Sequence, residues 1–95
     1  MPVDHGRASD EWLMRRYQRR LDERAFAQLV ARFTRPALAV AKGIVGNPTL
    51  AEGAVLETFL RLARSRSRYL PSRRFSTWFY AILRNVCTDM LTLTW

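Results

Sequence analysis

A single cysteine, Cys87, and a single histidine, His5, leave this chain without the means for two common kinds of site. No internal disulfide can form, and the pair cannot supply the three or four ligands of a zinc centre. No uncharged run is longer than the nine residues of Gly43 to Ala51 or of Phe75 to Leu83, against roughly 18 apolar residues for a membrane span. Met1 to Glu11 carries Asp4, Asp10 and Glu11 where a secretory leader needs a basic and then an apolar segment. The expectation is a soluble, cytoplasmic protein without membrane contact.

Catalytic equipment is scarce as well. Gly43 and Gly46 lead into Asn47-Pro48, which reads as a helix stop rather than a phosphate-cradling loop. His5 lies in residues 1–9, expected to be a mobile N-terminus. Glu52 and Glu57 are five apart, about 500° around a helix, and so do not share a face as paired carboxylates would. Cys87 reads as a buried, unreactive thiol. No enzyme, no metal and no cofactor are expected.

Acid is scarce beside base: 8 Asp and Glu stand against 16 Lys and Arg, a net charge of +8. Between Thr58 and Thr88 there is none at all, while Arg61, Arg64, Arg66, Arg68, Arg73, Arg74 and Arg84 lie there among Phe59, Tyr69, Phe75, Trp78, Phe79 and Tyr80. Arginine interleaved with aromatic rings suits a groove that holds phosphates and stacks unpaired bases. The plainer alternative is a solvated basic face beside ordinary core aromatics.

The 95 residues, 48% hydrophobic, suffice for one small domain over residues 10–95. Apolar periodicity predicts an all-α, compact bundle of about four helices. The first spans Asp10 to Arg20, with Ser9 or Asp10 as cap and Trp12, Leu13, Tyr17 and Leu21 as its stripe. Asp22 caps the second, in which Phe26, Leu29, Val30, Phe33, Ala37, Val40, Ala41 and Ile44 keep the 3.6 period, with a kink or break expected before Pro36. Thr49 and Glu52 have capping-box spacing and begin a third helix reaching about Ser67. Val55, Phe59 and Leu62 form its core stripe, and Leu56 and Leu60 form a second strip, which suggests either a deeply seated helix or a partner surface. After a polar connection, Ser65 to Arg74, a fourth helix starts near Phe75 or Ser76. Its stripe is Trp78, Ile82, Val86 and Met90, and it fades over Leu91 to Trp95.

Several of these strings, in this order, resemble the second conserved region of extracytoplasmic-function sigma factors of the sigma-70 family. They are Ala25-Phe26-x-x-Leu29-Val30-x-Arg32-Phe33, Gly46-Asn47, Ala51-Glu52-x-Ala54-Val55-x-Glu57-Thr58-Phe59-Leu60-Arg61-Leu62, and the run from Tyr69-x-Pro71 through Trp78-x-Tyr80-x-Ile82-x-Arg84-Asn85 to Asp89. The resemblance covers residues 10 to 90. It implies a sigma region 2-like domain that binds the β′ clamp helices of RNA polymerase core and captures the melted, single-stranded minus-ten promoter element. By the same resemblance, Glu52, Leu56, Glu57 and Leu60 would face polymerase, although Gly53 and Leu56 replace an acid and a glutamine usual in the family. Arg61, Tyr69, Tyr80, Arg84 and Asn85 would meet DNA, with Asn85 reading a base turned out of the stack.

An anti-sigma factor that covers the same apolar face is a further implied partner. The alternative is a helical interaction module that binds polymerase or an anti-sigma protein without productive DNA recognition. The family continues beyond Asp89 into a basic stretch, a pocket-closing loop, a linker and a second DNA-binding domain. With Met90 to Trp95 uncharged and last, the expectation is an isolated or shortened domain that binds DNA weakly and discriminates bases poorly.

Overall fold

The computed structural model describes residues 5–93. Four helices follow one another: α1 (Asp10–Arg20), α2 (Glu23–Val45), α3 (Pro48–Arg64) and α4 (Phe75–Leu93), with a 3₁₀ turn at Arg66–Arg68. Among the described residues there is no strand. Of the segment 1–9, residues 1–4 lie outside this description, and so do Thr94 and Trp95 of the expected fading end. Residues 5 and 6 are tied to α2, because the Arg32 guanidinium donates to the carbonyls of His5 and Gly6 at 3.1 Å each and to Asp10 Oδ1 at 3.0 Å.

Each helix start shows how its backbone amides are satisfied. Ser9 caps α1 by accepting from the Trp12 amide at 3.0 Å, and Asp22 Oδ1 accepts from the amides of Arg24 and Ala25. The cap of the third helix is Asn47, two residues before the expected Thr49. Asn47 Oδ1 accepts from the Leu50 amide at 3.0 Å, and Pro48 takes the first helical position, where its missing N–H leaves nothing unpaired. At α4 the cap comes from another element: Glu11 Oε2 accepts from the Phe75 amide at 2.7 Å.

The second helix runs through Pro36 without a break. Its remaining hydrogen bonds and the burial of Phe33, Ala37 and Ala41 on the flanking turns outweigh one lost donor. It ends at Gly46 in the left-handed region, φ 71°, as a helix stop requires, while Gly43 lies inside the helix.

Helix α2 packs against α1, α3 and α4, and the core lies between them. Its aromatic part is Phe33 against Phe79 and Phe75, with ring centroids 4.9 and 5.1 Å apart, and Phe59 against Phe79 at 5.3 Å. The stripe of α4 is turned from the expected one. Phe75, Phe79, Leu83, Val86 and Cys87 are buried, whereas Trp78, Ile82 and Met90 only pack against the core's edge. On α1, Leu13, Met14 and Tyr17 face inward, and Trp12 and Leu21 are exposed. No helix among the described residues is long and apolar enough to cross a membrane.

Candidate nucleic-acid and polymerase interfaces

Helix α3 carries all the residues expected to face polymerase and one expected DNA contact, Arg61. At about 100° per residue, Glu52, Leu56 and Leu60 lie within about 80° of one another, and Arg61 falls about 100° beyond Leu60, on the opposite side from Glu52. Leu56 is 63% and Leu60 47% exposed, so the second apolar strip stays out of the core. Two apolar grooves flank it. One, between α2 and α3, is lined by Val30, Thr34, Leu38, Glu52, Val55, Leu56 and Phe59. The other, between α3 and α4, is lined by Leu56, Leu60, Val86, Met90 and Leu93 with Gly53, Glu57, Arg61 and Asp89. Leu56 is the ridge between them. Glu57 lines the second groove and is engaged there by arginines, its Oε1 accepting from Arg61 Nε at 3.3 Å and from an Arg64 terminal nitrogen at 2.8 Å.

Beyond Arg61 the surface changes character. A cleft of about 370 Å³ is lined by Arg61, Arg64, Ser65, Arg68, Ile82 and Asn85. Arg61 and Asn85, 24 positions apart in sequence, thus meet in one concavity. Arg61 is bound on both sides, to Glu57 and, at 3.2 Å, to Asp89 Oδ2 on α4. Its guanidinium is held at the rim of the cleft, and a phosphate there would have to share it with two carboxylates. Arg68 is exposed and has no ion pair among the described residues. In the sequence Arg64 and Arg68 stood out only as members of the acid-free interval and Ser65 not at all, although Arg61, Arg64 and Arg68 at steps of three and four already share a side of a helix.

The remaining expected DNA contacts lie apart. Tyr69 corrects the expectation outright: it is 1% exposed, its ring packs 5.1 Å from that of Trp78, and its hydroxyl donates to the Arg73 carbonyl at 2.6 Å. No face of it is open to a base. Burial raises its phenol pKa, with Glu11 and Asp10 nearby adding to the effect. Tyr80 is half-buried against Phe33 and Phe79, and burial raises its phenol pKa too. It lies five residues before Asn85, about 140° around α4 from it. Arg84 is exposed on that same flank. Cys87 is buried, which pushes its thiol pKa up and away from reactivity.

The chain matches the family described as Sigma-70 region 2 over residues 29–95. It is 39% identical over 67 residues to an RNA polymerase sigma factor, CarQ, of Myxococcus xanthus, an alignment covering 70% of this chain and 38% of that protein. It therefore spans well under half the length of this curated relative. Its fold is similar to the NMR structure of an engineered region 2 of sigmaE in complex with GTAAAA, with 28% identity, a TM-score of 0.83, and coverage of 90% of this chain and 88% of that one.

Proposed function

Because this chain belongs to the sigma-70 region 2 family, we propose that it captures the unpaired minus-ten promoter strand in the α3–α4 cleft while docking on the β′ clamp helices of RNA polymerase. The observation that carries the DNA half is the convergence of Arg61, Arg64, Arg68 and Asn85 on one concave site. Guanidinium groups neutralise the backbone, and the Asn85 amide offers a donor and an acceptor to the edge of an unstacked base. The similar solved structure, an engineered region 2 of sigmaE, is a complex with GTAAAA, and that supports the same chemistry here. For polymerase, the support is the exposed Leu56 and Leu60 between two apolar grooves. That surface suits apolar side chains from partner helices, and an anti-sigma factor covering it would compete with polymerase.

Fluorescence anisotropy of the purified chain tests the reading with three probes: a single-stranded minus-ten oligonucleotide, the corresponding duplex, and a β′ clamp-helix fragment. The single strand should bind more tightly than the duplex. Asn85→Ala should level the preference among bases at one position while barely changing affinity for a scrambled strand, since phosphate contacts carry no sequence information. Tighter binding to duplex would overturn the DNA half. Binding to the clamp fragment alone would favour the second reading, an interaction module acting through the grooves around Leu56.

A further inference from the structure

The face of α1 opposite the core is built almost entirely of one charge. Arg15, Arg19 and Arg20 are exposed, and no acid among the described residues lies within ion-pair distance of them. The two acids of this helix are engaged elsewhere, Asp10 with Arg32 and Glu11 with the Phe75 amide. Arg16 turns to Asp22, its Nε 2.9 Å from Oδ2, while its guanidinium carbon lies 5.5 Å from the centre of the Trp12 ring. A shallow groove of about 340 Å³ runs between Trp12 and these four arginines.

Helix stability does not account for this cluster. Arg19 and Arg20 in the last turn are favourable to the helix dipole, but Arg15 with Arg19 and Arg16 with Arg20 are like-charge pairs at i, i+4, which destabilise a helix. The patch is also joined to the cleft. On its flank the Gln18 amide donates to the carbonyls of Arg66 and Tyr69 at 2.9 and 2.8 Å, so α1 grips the 3₁₀ turn whose last residue, Arg68, lines the cleft.

We propose that the arginine face of α1 is a second contact surface for single-stranded DNA, holding the phosphate backbone of a strand that continues out of the α3–α4 cleft. The inference rests on that cleft binding DNA. Four guanidinium groups beside the partly exposed Trp12 match the charge and stacking of an unpaired strand. A lipid surface suits the face less well, because Leu13, Met14 and Tyr17 are buried and leave no apolar stripe to insert.

Salt-titrated anisotropy on the full chain separates the possibilities, using single strands of about 6 and about 16 nucleotides. The triple variant Arg15→Gln, Arg19→Gln, Arg20→Gln keeps good helix formers at exposed positions. It should bind the long strand about tenfold more weakly, with a log–log salt slope smaller by about 2 for three lost contacts, and should bind the short strand as the parent does. A matched variant, Arg24→Gln, Arg35→Gln, Lys42→Gln, removes the same charge from α2 and should keep the parent's slope. Unchanged long-strand binding in the triple variant overturns the proposal. So does an equal loss in the matched variant, or a triple-variant defect seen only with phosphatidylserine vesicles. If the parent binds neither strand, the cleft reading falls and this one with it. If it binds the short strand normally and the triple change does nothing to the long one, this inference alone fails.

Discussion

Asp22 shows how much one side chain can tie together in so short a chain. Its Oδ1 caps α2, and its Oδ2 lies 2.9 Å from Arg16 Nε and 3.0 Å from His5 Nε2. These partners, His5 foremost and Arg16 next, hold its carboxyl well below the usual aspartate range. Ionised Asp22 therefore favours the folded state above the unfolded-chain value of about 4, and that contribution is lost as pH falls below it. Asn caps a helix as well as Asp does, so Asp22→Asn isolates the charge. Urea unfolding should show the variant less stable at neutral pH, with a gap that narrows progressively as the buffer is taken below about pH 4. A gap of constant width down to pH 2 would place the stabilisation elsewhere. The capping role was legible in the sequence, because an acid directly before an apolar period is a local signal. The clamp to Arg16 and His5 was not, nor was the burial of Tyr69. Both depend on which helices meet, and a tyrosine among arginines has the same composition in a core as on a DNA-binding face.

Periodicity gave α4 its length and start but not its orientation. Apolar residues come in adjacent pairs, Trp78-Phe79, Ile82-Leu83 and Val86-Cys87, so two stripes about 100° apart fit the pattern equally. Contact with both α2 and α3 selects Phe79 and Leu83. For α3 the second strip is exposed, being surplus to a core already supplied by Val55, Phe59 and Leu62. Leu60→Asp should leave stability within about 0.5 kcal/mol, as expected for an exposed site. It should weaken clamp-fragment binding by about 2 kcal/mol or more if this residue anchors the interface, measured by titration beside an unfolding curve. A variant that stays folded and binds as the parent does would move the interface off this strip. Gly53 offers a test of the opposite sign. A Cβ added there would meet Met90 Cε at 3.5 Å, an ordinary contact. Gly53→Ala should therefore raise stability by about 0.5–1 kcal/mol through helix propensity, seen as a higher urea midpoint with unchanged slope. A lower midpoint would mean that the added methyl disturbs the α3–α4 packing.

Across the molecule, charge and apolar surface are sorted into territories: arginines on α1 and around the α3–α4 cleft, exposed leucines along α3. The acids serve mainly as internal ties, at Asp10, Glu11, Asp22, Glu57 and Asp89. The bond from the Phe75 amide to Glu11, 64 positions away, has a consequence for motion. A first-turn helix amide ordinarily exchanges its hydrogen with solvent almost freely, since no carbonyl of its own helix covers it. This one is covered by a side chain of a different helix, so it is shielded only while α1 remains docked. In native-state hydrogen exchange, Phe75 should report the opening of α1 and share the protection of the Tyr17 amide rather than that of Ser76 and Thr77 beside it. Glu11→Ala should abolish that protection and leave the middle of α4 unaffected. Fast exchange at Phe75 in the parent would mean that α1 detaches freely. Slow exchange would mean that the helix carrying Asn85 keeps its first turn only as long as the amino-terminal helix stays latched to it.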